Sequence, residues 1–260
     1  MKSFIWRADQ LLFGGRLQDT LKARKAEASL RKLMSQASHR QLVAFEPIFG
    51  SLHQLCDTWG SDKGSTPGFT DRPYLWPPHT YAALYQTLFE HCREHVKLVF
   101  ECGLGTSDAS IPNNMGARGR AGASLRVWRD YFPNALVFGA DIDRKSLFQE
   151  PRIETHWVDQ TCPKAIARLW SDIGRTGFDL IIDDGLHTFG AGKIFFEGSW
   201  DRLRPGGVFV IEDVSMPNLL KYQDYFKQIG VSAELHVLQR QSMQPFDNNL
   251  VLVRRMTGVR

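Results

Sequence analysis

Phe178-Asp179-Leu180-Ile181-Ile182-Asp183-Asp184-Gly185-Leu186-His187 is the stretch on which the fold turns. A short apolar run ends in two carboxylates, a glycine and, three residues past the second carboxylate, a histidine. A strand buried in a parallel sheet reads as such a run bounded by turn residues. The pattern recurs at Gly206-Gly207-Val208-Phe209-Val210-Ile211-Glu212-Asp213. Two strands therefore deliver acidic pairs to one edge of a sheet. Open α/β sheets bind their ligands where such strands end.

Working outward, the same alternation extends in both directions. Val96 to Gly105 is a strand running into a glycine-rich turn, Leu136 to Asp143 a second strand, and Ile153 to Val158 a third that ends in Asp159-Gln160. Helices are expected over His79–Glu94, Ala123–Tyr131, Lys164–Ile173 and Ala191–Leu203. Two closing strands, Ala233–Gln239 and Asn249–Arg255, are near enough in sequence to pair antiparallel. Alternation of this kind gives a mostly parallel sheet covered by helices on both faces. The expectation is an α/β, Rossmann-like fold with seven strands and a terminal antiparallel hairpin over residues 51–260, preceded by an N-terminal helical extension over residues 1–50.

That extension differs in character. Leu17 to Leu42 contains neither proline nor glycine, and Leu17, Leu21, Leu30, Leu33, Met34 and Ala37 recur at helical spacing. Arg16, Lys22, Arg24, Lys25, Arg31, Lys32 and Arg40 make its polar side basic. A membrane-surface helix is one reading. The thin, alanine-rich apolar side favours a helix that packs on the core or on a neighbouring subunit. The apolar start, Phe4 to Phe13, also asks for a partner surface.

Composition narrows the classes. The chain has 260 residues, of which 43% are hydrophobic and 23% charged, as in soluble globular proteins. A net charge of +4 is too mild to argue for nucleic acid. The four cysteines are scattered without a C-x-x-C pair, which disfavours a structural zinc and fits a reducing compartment such as the cytoplasm. No apolar run is long enough to span a bilayer.

Chemistry concentrates at the strand ends. In Glu101-Cys102-Gly103-Leu104-Gly105 the glycines Gly103 and Gly105 let the backbone approach a cofactor closely. A dinucleotide site would show G-x-G-x-x-G, with the pyrophosphate at a helix N-terminus. Here Asp108 stands where the third glycine would be, so Glu101-x-Gly103-x-Gly105 suits S-adenosylmethionine, which carries no phosphate. Asp141, with Asp143 as the alternative, is placed to accept the ribose hydroxyls. Asp159 and Gln160 lie where the adenine would, and the Gln160 amide can meet a base edge. Asp184, Glu212 and Asp213 would converge if their strands are neighbours, and clustered carboxylates need a cation. All-oxygen ligands favour a hard ion such as Mg²⁺. Asp183 points to the opposite face and is read as support. His187 is the expected general base: a metal lowers the pKa of a substrate hydroxyl, His187 takes its proton, and the oxygen attacks the methyl group in line.

Four segments then carry a resemblance: Gly60-Ser61-Asp62-Lys63-Gly64, Ala123 to Pro133, Ile182 to His187 and Arg204 to Asp213. Together they resemble the metal-dependent sugar O-methyltransferases of macrolide biosynthesis over residues 55 to 255. The resemblance implies a class I methyltransferase fold, S-adenosylmethionine and Mg²⁺ as cofactors, and transfer to a sugar hydroxyl of a glycoside, natural product or polysaccharide. It implies Asp184, Glu212 and Asp213 as metal ligands, with His187 and Asp184 catalytic. It puts Lys63 and Ser124 with the cofactor-binding residues, and it implies a homo-oligomer, a dimer or tetramer. The chain departs from the family pattern at Thr106, at Leu186 where serine is usual, and in the loop Ser107 to Gly122 with Arg118 and Arg120. Competing readings are a Mg²⁺-dependent catechol O-methyltransferase, a nicotinamide oxidoreductase and a non-catalytic scaffold.

Overall fold

The structure, a computed structural model, describes residues 24–25, 28–29, 32, 49–111, 114–238 and 247–256. Of the expected N-terminal helix, Arg24, Lys25, Ala28, Ser29 and Lys32 have helical backbone. The rest of that helix and the apolar start before it lie outside the described residues.

Helix α1 (Ser51–Trp59) and α2 (Tyr81–Phe89) precede the sheet. The alternating series follows: β1 (Leu98–Cys102), α3 (Ala123–Tyr131), β2 (Leu136–Asp141), β3 (Gln149–Glu150), β4 (Ile153–Trp157), α4 (Pro163–Ile173), β5 (Phe178–Asp183), α5 (Phe189–Ser199), β6 (Leu203–Ile211), α6 (Met216–Gln228), β7 (Ala233–Val237) and β8 (Asn249–Arg254). The sheet order is β3-β4-β2-β1-β5-β6-β8-β7. β1, β2, β4, β5 and β6 run parallel, while β8 pairs antiparallel with both β6 and β7.

The sheet has eight strands where seven were expected. The additional one is Gln149–Glu150, which folds back antiparallel on the start of β4. Two residues leave no alternation to detect. Helix α1 was also not foreseen; it stops at Gly60, whose φ of +77° is a left-handed helix end. Helix α5 begins at Phe189, earlier than the expected Ala191, because the Thr188 hydroxyl accepts the Ala191 N–H at 3.3 Å.

Strand alternation sorts the core into two layers. Phe100, Phe138, Ile181, Phe209 and Ile211 pack with Trp170, Phe195 and Tyr222 from α4, α5 and α6. Val99, Val137, Leu180, Ile182 and Val210 pack with Leu52, Tyr85 and Trp128 from α1, α2 and α3. The parity extends beyond the apolar runs. Glu101 follows Phe100 and Glu212 follows Ile211, so both fall on the α1–α3 side. Asp183 follows Ile182 and falls on the α4–α6 side.

Candidate active site

Adjacent strands β1, β5 and β6 therefore carry Glu101, Asp184 and Glu212 to one corner of the sheet. Burying such charges costs several kcal/mol each unless they are paired. The partner is Lys63, from the loop after α1. Its ammonium lies 2.7 Å from Asp184 Oδ2 and 3.4 Å from Glu101 Oε1, and it also donates to Glu212 Oε2. The Gly60–Ser65 turn is thus no surface loop: Lys63 is 1% exposed. Burial works against the lysine's charge, but Asp184, Glu101 and Glu212 push its pKa well above the ordinary value. Burial pushes Glu212 well above the carboxylate range, with Lys63 opposing. Asp184 feels the same burial, yet Lys63 and His187 hold it well below that range.

His187 completes the corner. Its Nε2 lies 3.3 Å from Asp184 Oδ1 and its Nδ1 3.4 Å from Asp213 Oδ2. Burial opposes protonation of the ring, but Asp213 and Asp184 outweigh it and push its pKa up to about 10. His187 and Asp213 both have left-handed backbone, with φ of 57° and 52°. Strain of this kind in residues other than glycine concentrates at functional sites. Asp184, His187 and Asp213 offer ligand atoms that all lie within 4.8 Å of one another. The expected third ligand, Glu212, lines the same cavity beside this group and is engaged by Lys63 and by the Tyr85 hydroxyl at 2.6 Å.

α2 supplies residues that sequence reading passed over. Tyr81 and Tyr85 are one helical turn apart and meet adjacent acids: the Tyr81 hydroxyl donates to Asp213 Oδ1 at 2.6 Å and Tyr85 serves Glu212. His79 stacks on Tyr81 and lies 3.4 Å from Asp213 Oδ1. A tyrosine pair at i, i+4 before a Glu-Asp strand end was the available signal.

Beside this corner opens a cavity of about 650 Å³. Gly103, Gly105, Ser124, Asp141, Asp159 and Gln160 line it, as do Lys63, Asp184, His187, Glu212 and Asp213. Glu101 does not appear in its wall: the carboxylate is fully buried beneath, accepting from Ser124 Oγ at 2.6 Å and from Trp128 Nε1. Gly103 has φ +97°, and a Cβ there would stand 2.0 Å from the Asp184 carbonyl oxygen. Asp141 accepts the Leu104 and Asp143 N–H groups at 2.7 and 2.8 Å, which leaves lone pairs for a ligand hydroxyl. Asp143, the alternative, is occupied by Thr106 Oγ1 at 2.5 Å and Lys145 N–H at 2.9 Å. Gln160 lines the cavity and also joins two buried groups. Its Nε2 donates to Asp183 at 2.6 Å and its Oε1 accepts the Leu186 N–H at 2.8 Å. A buried carboxylate and a loop N–H both need partners, and this amide satisfies both. Burial pushes Asp183 up to about 6.

No family model matches the chain. It is 37% identical over 173 residues to the 8-demethyl-8-alpha-L-rhamnosyl tetracenomycin-C 2'-O-methyltransferase of Streptomyces olivaceus, covering 65% of this chain and 43% of that protein. It is 34% identical over 145 residues to the demethylmacrocin O-methyltransferase of Streptomyces fradiae, covering 54% and 34% respectively. The chain resembles antibiotic-sugar O-methyltransferases. It spans less than half the length of these curated relatives. Among solved structures, the MycE methyltransferase from the mycinamycin pathway, in complex with Mg, SAH and mycinamycin VI, superposes with a TM-score of 0.59. The match is at 23% identity over 82% of this chain and 58% of that one. The fold is that of a class I methyltransferase.

Proposed function

We propose that the chain is a metal-dependent O-methyltransferase that moves a methyl group from S-adenosylmethionine to a sugar hydroxyl of a glycoside, natural product or polysaccharide. The observation that carries this reading is His187 held between Asp184 and Asp213 at the wall of the same cavity that Gly103, Gly105 and Asp141 line. The relatives named above, whose names describe O-methyltransferases, support it.

The residues of the cavity fit both the nucleoside of the methyl donor and a divalent cation. Gly103 and Gly105 have the positive φ that close approach of a nucleoside requires, and Asp141 offers carboxylate oxygens to its ribose. Asp184, Asp213 and Glu212 are oxygen donors of the kind a hard divalent ion takes. A divalent cation held there would supply a Lewis acid for the acceptor hydroxyl. The chain's own residues do the rest. His187, as the neutral imidazole, would accept the hydroxyl proton as general base. Tyr81 fixes the Asp213 carboxylate by a 2.6 Å hydrogen bond. Asp183 and Gln160 tie the β5–α5 loop so that His187 keeps its place. The protein's main contribution is to position the nucleophile against the methyl group.

On the same reading, residues 51–260 form the methyltransferase domain after an N-terminal extension of residues 1–50, and the enzyme works in the cytoplasm as a homo-oligomer. Among the described residues no helix is long and apolar enough to cross a membrane. Thermal shift separates the cofactor classes: S-adenosylhomocysteine should stabilise the protein and NADH should not. Stabilisation by NADH alone would point to an oxidoreductase. Acceptor profiling with glycosides and catechols separates the two methyltransferase readings.

A further inference from the structure

Lys63 is a buried cation that the chemistry above does not use. Its backbone is pinned: the carbonyl accepts the Ala82 N–H of α2 at 2.9 Å, and at the next residue a Cβ on Gly64 would meet the Ala82 Cβ at 2.5 Å. The side chain runs inward and ends among three carboxylates from three neighbouring strands. The ammonium donates to Asp184 and Glu212 and pairs with Glu101 at 3.4 Å. Two of the acids, Asp184 and Glu212, are ones assigned above to the divalent cation.

We propose that Lys63 is a fixed internal counter-cation that shares Asp184 and Glu212 with the metal. With the metal absent, it keeps these carboxylates from repelling one another and holds them in place. With the metal present, it remains as a like charge beside it and sets an upper limit on how tightly the metal binds. In a buried corner, where charges are poorly screened, that influence is large. The site is thereby organised before the metal arrives. The inference rests on reading the cluster as a cation site.

The test is Mn²⁺ titration of the full chain by calorimetry, with thermal unfolding measured in EDTA and in Mg²⁺. Lys63→Gln keeps amide donors but removes the charge. It should bind Mn²⁺ at least about tenfold more tightly than the wild type, melt lower in EDTA, and gain more from Mg²⁺. Lys63→Arg keeps the charge and should bind Mn²⁺ more weakly than Lys63→Gln. Equal or weaker binding by Lys63→Gln would overturn the proposal. A Lys63→Gln chain unfolded in EDTA that folds on adding Mn²⁺ would support it. One that stays unfolded at saturating Mn²⁺ would count against it, because the metal should supply the missing charge. Failure of the wild type itself to bind Mn²⁺ is a separate result: it removes the cation-site reading and this inference with it.

Discussion

Gly103→Ala tests the joint between β1 and β5 on which the site is built. The new Cβ would lie 2.0 Å from the Asp184 carbonyl oxygen, 2.6 Å from its carbon and 3.1 Å from the Gly185 nitrogen. These are backbone atoms, so no side-chain rotation relieves the clash. The two strand ends must part by more than about 1 Å to reach ordinary contact. Parting them weakens the 2.8 Å hydrogen bond from the Asp184 N–H to the Cys102 carbonyl, worth about 1 kcal/mol. The φ of +97° adds roughly 1–3 kcal/mol for a residue with a Cβ. The sum is about 3 kcal/mol, which at roughly 2–4 °C per kcal/mol lowers Tm by about 6–12 °C. The moving carbonyl belongs to Asp184, so ligand binding should suffer too. Calorimetry with S-adenosylhomocysteine should show at least about tenfold weaker binding, a loss of about 1.4 kcal/mol. Gly190 in α5 is the control: nothing lies within 4 Å of a Cβ built there, so Gly190→Ala should be neutral or stabilise by up to about 1 kcal/mol. A Gly103→Ala protein with wild-type Tm and unchanged affinity would refute the argument that this glycine is required by close approach.

His187→Ala should lower the methyl-transfer rate by roughly 10²- to 10⁴-fold with the fold intact by circular dichroism; a loss of only a few-fold would mean that the ring is not the base. Asp184→Asn and Asp213→Asn should abolish the rise in Tm that Mg²⁺ gives the wild type, and an undiminished rise in both would place the cation elsewhere. For Asp183, burial raises the folded-state pKa from the ordinary 3.8 to about 6. A carboxyl with a raised folded-state pKa contributes stability below the unfolded value and loses it as pH rises through the folded one. Asp183→Asn should therefore match the wild type near pH 4 and exceed it by up to roughly 3 kcal/mol above pH 7, read by urea unfolding across that range. A difference independent of pH would show that the folded-state pKa of Asp183 is not raised.

The parallel core was legible in the sequence because its signals are long. β1, β2, β4, β5 and β6 are apolar runs closed by acids or glycines, and α3 and α4 carry clear helical spacing. The edge strand Gln149–Glu150 has no such pattern, since its pairing with β4 is made by a local fold-back. At the site, the strand-end acids and His187 were visible as types at positions. Their partners were not. Lys63 neutralises Glu101, Asp184 and Glu212, because parity puts those three acids on one face under α1 and α2. Gln160 satisfies Asp183 and the Leu186 N–H. Both pairings arise from long-range demands that charged and polar groups be paired when buried. Sequence spacing carries no trace of such demands.

Metal-dependent methyl transfer to a sugar hydroxyl can be assayed by incubating the full chain with methyl-labelled S-adenosylmethionine and an equimolar panel of rhamnosides, other glycosides and catechols, with Mg²⁺ or with EDTA. Label should appear in a glycoside as a base-stable methyl ether, formed with Mg²⁺ and abolished by EDTA. Transfer that persists undiminished in EDTA, or that labels catechols in preference to every glycoside, would overturn the proposed function.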